Sequence, residues 1–212
     1  MSQILSEINV SLQAGKAKVV AELVAKALEE GLAPKDILEE GMLSAMSVIG
    51  EKFMVNEIYV PEVLIAARAM NRGMEVLKPS LIADGVQAKG VGVIGTVKGD
   101  LHDIGKNLVK MMMEGKGIEM HDLGVDVSPD KFVSAAKEHN ASLICLSALL
   151  TTTMGEMKNV VDAIKAEGLE GKVKVMIGGA PVTQAYCDQI GADCYTADAA
   201  SAANAAMVFL SA

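Results

Sequence analysis

The chain has 212 residues, 51% hydrophobic and 3% aromatic with no tryptophan, and a formal net charge of −8. That length suffices for one large domain or two modest ones with a core that needs no disulfide or metal staple. No apolar run approaches the roughly 18 residues of a membrane span, and an acidic chain without a basic cluster is not expected to bind nucleic acid or an anionic membrane.

The first residues, Met1 to Glu7, lack a basic start followed by an apolar stretch. A secretory signal is therefore not expected, and the protein is read as cytoplasmic. From residue 3 to about 83 the apolar residues recur at helical spacing. Val19, Leu23, Ala27 and Leu28 form one stripe. Ile37, Leu38, Met42, Ala45, Met46 and Ile49 form another, and Val63, Ala67, Met70, Met74 and Leu77 a third. Gly15, Gly31 with Pro34, and the stretch from Asn56 to Pro61 interrupt the pattern, which predicts four helices packed as a small bundle over residues 1–86.

After Asp84-Gly85 the pattern changes to short β-branched runs alternating with helical stretches. Strands are predicted from Gly92 to Thr96, Ile118 to Asp122, Leu143 to Ser147, Val173 to Gly178 and Asp193 to Tyr195, with helices between them and one after. Strict alternation implies a parallel, doubly wound sheet over residues 87–212. In the flavodoxin-like (Rossmann-type) strand order 2-1-3-4-5, ligands sit at the carboxyl ends of the first and third strands, which directs attention to the residues after Thr96 and Cys145. Cys145, Cys187 and Cys194 are odd in number and lack CxxC spacing, so they are read as buried free thiols and not as a disulfide framework or a zinc site. Most of the 14 methionines are expected in the core.

The first strand runs into Gly99-Asp100-Leu101-His102-Asp103-Ile104-Gly105-Lys106-Asn107. Asp100 lies two residues before His102, close enough to set the imidazole tautomer, as a metal-ligating histidine requires. Asp103 can cap a helix starting near Ile104, and Gly99 and Gly105 leave room for a large flat ligand. Gly99 to Lys106 differs from a phosphate-binding P-loop in its glycine spacing, and Asn107 replaces the magnesium-binding hydroxyl. The GxGxxG of Gly90 to Gly95 lies before and within the strand, so it cannot open a dinucleotide-binding helix. A phospho-acceptor receiver would need an aspartate ending the third strand, where this chain has Leu146-Ser147. His121 and His139 have no useful spacing to His102 for zinc and are read as structural or solvated. A single protein ligand suits a macrocyclic cofactor, whose ring supplies the remaining coordination, and spacing leaves the metal open.

Asp100-x-His102-x-x-Gly105, followed by Ser147-x-Leu149 and then Gly178-Gly179, resembles the three-part signature of cobalamin-binding domains of the methionine synthase type. With the helical bundle before it, nearly the whole chain resembles the corrinoid subunit of three-component methyltransferase systems. The resemblance implies a bundle that caps the methyl-bearing face of the corrin and a sheet domain in which His102 replaces the cofactor's own base on cobalt. It places Asp103, Ile104, Gly105, Ser147, Leu149, Gly178, Gly179, Tyr195 and Thr196 along the cofactor and its displaced tail. Asp100, with a hydroxyl from Thr153 or, second, Thr151, would modulate the ligand without touching cobalt, and Tyr59 and Met70 would meet the cofactor from the last bundle helix. The linker from Leu81 to Lys89 would hinge the cap.

The implied function is that of a corrinoid methyl carrier, catalytically idle by itself, whose cobalt accepts a methyl group from a substrate-specific methyltransferase. A second methyltransferase would pass it to an acceptor such as tetrahydrofolate or a thiol cofactor, and a reductive activase would be a third partner. The rival readings are a cobalamin-binding regulator, which would need an effector domain, a carbon-skeleton isomerase subunit, which would lack the helical cap, and a cofactor-free nucleotide-binding module. Methanol, methylamines, betaines and aryl methyl ethers all stay open as donors, because that choice resides in the partner.

Overall fold

The computed structural model describes residues 2–211, so Met1 and Ala212 lie outside the described residues. The chain divides into two compact units: one runs to Ala88 and includes Gly115–Gly117, and the other comprises Lys89–Glu114 and the residues from Ile118 onward.

In the first unit, α1 (Gln3–Gln13) starts at Ser2, whose hydroxyl accepts from the Leu5 N–H at 3.4 Å, and buries Ile4, Leu5, Ile8 and Leu12. The cap satisfies one of the orphan donors of the first turn, and the spacing of the four apolar residues makes a single buried stripe. Gly15, at φ 68°, turns the chain into α2 (Ala17–Glu29). There the buried face is Val20, Val24 and Ala27, while Val19 is exposed. The expected stripe is thus displaced by one residue. Both sets repeat at helical spacing, and the choice is made by α5 (Val60–Ala83), where Gly73 allows close approach. A Cβ at Gly73 would stand 2.9 Å from Val20 Cγ1 and 2.7 Å from Met42 Cε.

The third helical run is composite. It begins at α3 (Pro34–Asp36), widens to a π-helical stretch over Ile37–Leu43 and tightens again in α4 (Ser44–Met54). The widened turn rotates the later residues, so Met42, Leu43, Ala45, Met46 and Ile49 are all buried. Helix α5 opens with Glu62 accepting from the Tyr59 N–H at 3.0 Å. It extends past Pro79 to Ala83, so the expected linker is shorter by its first three residues.

The second unit is a five-stranded, all-parallel sheet in the order β2-β1-β3-β4-β5, as predicted. The strands are β1 (Val91–Thr96), β2 (Glu119–Asp122), β3 (Leu143–Ser147), β4 (Lys174–Gly178) and β5 (Cys194–Tyr195). The helices are α6 (Ile104–Glu114), α7 (Pro129–Glu138), α8 (Gly155–Ala166), α9 (Gln184–Ile190) and α10 (Ala199–Leu210). On one face Val93, Ile144, Val175 and Ile177 join Phe132 of α7, Val160 of α8 and Cys187 of α9 in a continuous core. On the other, Cys145 meets Met113 of α6, which also packs with α10.

The glycines of β1 serve this packing. A Cβ at Gly95 would lie 2.8 Å from the Phe132 ring and one at Gly92 2.8 Å from Met120 Sδ, which accounts for the GxGxxG match without a dinucleotide. Among the described residues no helix is long and apolar enough to cross a membrane.

Candidate functional site

The carboxyl ends of three neighbouring strands lie in register, with Thr96 of β1 beside Ser147 of β3 and Ser147 beside Gly178 of β4. This is the switch point of the sheet, where β1 and β3 send their connections to opposite faces. The chain leaving β1 is tied down at once: Val97 N–H donates to the Ser147 carbonyl at 3.0 Å and Asp100 N–H to the Val97 carbonyl at 3.1 Å. The Thr96 hydroxyl donates to the His102 carbonyl at 2.7 Å. The loop therefore folds back over the end of its own strand and presents the His102 side chain, 51% exposed.

Beneath it, Asp100 is fully buried. Its Oδ1 accepts from His102 Nδ1 at 2.7 Å and from the His102 N–H at 3.1 Å. Its Oδ2 accepts from the N–H groups of Leu149 and Leu150 at 2.8 and 3.2 Å and from the Thr153 hydroxyl at 2.8 Å. Burial by itself opposes the charge on Asp100, but the bonds from His102, Leu149 and Thr153 outweigh it and hold the carboxyl below the ordinary carboxylate range. An ionised carboxylate cannot donate, so the proton of the neutral imidazole sits on Nδ1 and the lone pair on Nε2. Among the described residues nothing hydrogen-bonds Nε2, which leaves its lone pair available to a ligand.

Around this imidazole stand Leu101 and Ile104, 72% and 76% exposed, together with the partly exposed Leu149 and Leu150. Exposed aliphatic side chains next to His102 in the chain, and on the segment whose amides bind Asp100, suit a broad ligand with an apolar edge. A Cβ at Gly105 would meet nothing within 4 Å, so backbone lies bare beside the imidazole. Farther along the strand ends, a Cβ at Gly178 would touch only the Thr196 carbonyl, at 3.5 Å, and Tyr195 pairs in register with Ile177. Gly179, at φ 131°, is required by its own backbone and by the Ala148 carbonyl oxygen, which a Cβ would approach to 1.9 Å. The donor set thus fits a corrinoid held through one histidine, and Gly178 leaves the end of β4 bare.

The sheet topology brings together Asp100, His102, Leu149 and Thr153 by direct contact, and Ser147, Gly178, Tyr195 and Thr196 by register. Of the two candidate hydroxyls, Thr153 reaches Asp100, whereas Thr151 is exposed and does not. Asp103 differs in detail from a side-chain cap. Its carbonyl accepts from the Asn107 N–H at 2.8 Å as the first bond of α6, but its carboxylate takes the Asn107 side-chain amide at 3.1 Å. Tyr59 and Met70 belong to the helical unit, where Tyr59 is exposed and Met70 buried. His121 and His139 stack on each other, with centroids 3.6 Å apart. Among the described residues no group of three or more His, Cys, Asp or Glu side chains is arranged to hold a metal. Cys145 and Cys187 are buried and free, and burial pushes their thiols up to about 12 and about 11.

Several groups were not read from the sequence. The Leu150 amide and Thr96 hydroxyl are generic donors whose role depends on where the loop folds. Lys106, 2% exposed in its side chain, pairs with Asp122 at 2.6 Å, so the lysine of the P-loop-like stretch is already neutralised inside the fold. Lys106 and Asp122 lie sixteen residues apart, on α6 and at the end of β2, and only the β2–β1 pairing joins them.

Residues 90–208 match the B12 binding domain family, and residues 4–78 match a second family of the same description. The chain is 44% identical over 202 residues to the dimethylamine corrinoid protein of Methanosarcina barkeri, covering 94% of each. Two solved structures are similar across the fold. One is a cobalamin-binding protein from Desulfitobacterium hafniense DCB-2, with TM-score 0.79, 32% identity and coverage of 97% of this chain and 98% of that one. The other is the methanol:cobalamin methyltransferase complex from Methanosarcina barkeri, with TM-score 0.90, 29% identity and coverage of 99% and 80%. With a switch-point histidine, its buried carboxylate and bare strand ends in place, the chain belongs to the B12-binding family, as a corrinoid protein of the kind found in methyltransferase systems.

Proposed function

We propose that this protein is a methyl carrier that works between two methyltransferases. When bound, the corrinoid supplies a cobalt able to take up a methyl group from one partner and yield it to the other. The chain's own residues supply the poise of that site. His102 would hold the cofactor's metal through Nε2, and Asp100 fixes the tautomer that makes Nε2 basic. With Nε2 free, His102 would take a proton there, and the ionised Asp100 would stabilise the resulting imidazolium. Thr153, on the far oxygen of Asp100, completes the relay. Leu101, Ile104, Leu149 and Leu150, exposed here, would exclude water beneath a bound cofactor.

The resemblance to a dimethylamine corrinoid protein over nearly its full length supports a methylated amine as the donor, delivered by a substrate-specific methyltransferase. A second methyltransferase would draw the methyl group off to tetrahydrofolate or a thiol cofactor, and a reductive activase would restore the cofactor after oxidation. Free thiols suit a reducing compartment, and we place the protein in the cytoplasm.

The observation that carries this reading is the exposed His102 at the switch point, tethered at Nδ1 to the buried Asp100. Reconstitution with hydroxocobalamin should give a spectrum in which a protein imidazole replaces the cofactor's own base, and His102→Ala should lose that signature. Equal uptake with identical spectra would reject the carrier reading. Methylation assays with dimethylamine and methanol methyltransferases as donors' partners then separate the two substrate classes.

A further inference from the structure

Asp126 lies in the connection between β2 and α7, with φ 53°, in the left-handed region that non-glycine residues seldom enter. Held in that conformation, it grips the His102 loop twice. Its N–H donates to the Asp100 carbonyl at 3.0 Å, and its Oδ1 accepts from the Gly99 N–H at 2.7 Å. Gly99 is itself at φ 81°. Two left-handed residues on separate loops are thus locked face to face, one residue before the carboxylate that holds the imidazole.

The connection carrying Asp126 is anchored on both sides. Thr96 N–H donates to the Gly124 carbonyl and Val127 N–H to the Thr96 carbonyl, each at 3.0 Å. Gly124 N–H donates to Asp122, which the buried Lys106 holds in turn. Asp126 is exposed, but its backbone and carboxylate are both committed to the His102 loop. It is the point where a rigidly tied segment meets the turn from which the cofactor ligand projects.

We propose that Asp126 is a positioning residue for the cofactor site, setting the Gly99–Asp100 peptide so that His102 Nε2 reaches the metal. The inference rests on His102 as axial ligand and adds to it a residue from a different loop. Asp126→Asn keeps an acceptor at the same place and tolerates the backbone conformation, so it should retain ligation. Asp126→Gly keeps the conformation and removes the acceptor. Its His102-bound to His102-free ratio should fall by about 3- to 10-fold, the range expected for loss of one hydrogen bond.

The readout is the axial-nitrogen splitting in the electron paramagnetic resonance spectrum of 15N-histidine-labelled protein reconstituted with cob(II)alamin, where a doublet reports His102 and a triplet the cofactor's own base, beside the urea midpoint of the cofactor-free protein. A lowered ratio in Asp126→Gly at an unchanged midpoint, restored in Asp126→Asn, is the expected result. An Asp126→Gly protein with the wild-type ratio would overturn the inference while leaving the carrier reading intact, and so would a loss that tracks the midpoint alone. If wild type and His102→Ala gave the same spectrum, the carrier reading would fail first and this inference with it.

Discussion

Asp100 accepts five hydrogen bonds, two from His102 and three from the segment Leu149 to Thr153, so one carboxylate couples the ligand turn to the end of β3. The coupling predicts an order of severity. Asp100→Ala removes the tautomer-setting acceptor and should weaken His102 ligation by about 10- to 100-fold, the range for groups behind a metal ligand. Thr153→Val removes one of five donors and should cost less, and Thr151→Val should cost nothing. Visible-spectrum titrations of reconstituted protein measure all three. Losses as large for Thr153→Val as for Asp100→Ala would show that Thr153 acts on the ligand by some route other than Asp100.

Asp122 of β2 meets two lysines of α6, Lys106 at 2.6 Å and Lys110 at 3.7 Å. Lys106 is buried at the start of α6, and Asp122 ends β2. Burial opposes the charge on Asp122, yet the hydrogen bonds from Lys106 and Gly124 prevail and lower its carboxyl. A carboxylate lowered by folding adds stability above its unfolded value of about 3.9, and that stability is lost as pH falls through the lower folded value. Asp122→Asn should therefore cost about 3–5 kcal/mol at neutral pH by leaving Lys106 unpaired in the interior. The gap in urea midpoint from wild type should close below about pH 4. Glu114, raised by burial and by the charge of Asp122, titrates in the opposite sense and is relieved in part by Asp122→Asn. The sheet was legible in the sequence for a related reason. Short β-branched runs ending in small or turn-forming residues mark each strand to within one residue, and Asp100-x-His102 is a local pattern. Lys106–Asp122 and Asp126–Gly99 were not legible, because each joins residues sixteen or more apart through strand pairing that no local pattern encodes. The α2 stripe was misplaced for the same cause, since the partner helix and Gly73 decide which of two equivalent faces is buried.

At the scale of the whole chain, two compact units share one polypeptide, and the ligand histidine with its supporting network lies wholly in the second. A ligand that binds only the folded state stabilises what it binds by mass action, about 2.7 kcal/mol at a hundredfold excess over its dissociation constant. That gain must appear first where the contacts are. Adding hydroxocobalamin should slow amide hydrogen exchange at Leu149, Leu150 and His102 and through β1, β3 and β4. The amides of α1 and α2, which build their own core from Ile8, Leu12, Val20 and Val24, should change less. In His102→Ala the protection of the sheet unit should shrink, while the exchange pattern of α1 and α2 stays as it was. Equal protection of both units by the cofactor would mean that they open as one cooperative body, and that the helical unit takes its stability from the loaded sheet domain instead of from its own buried stripes.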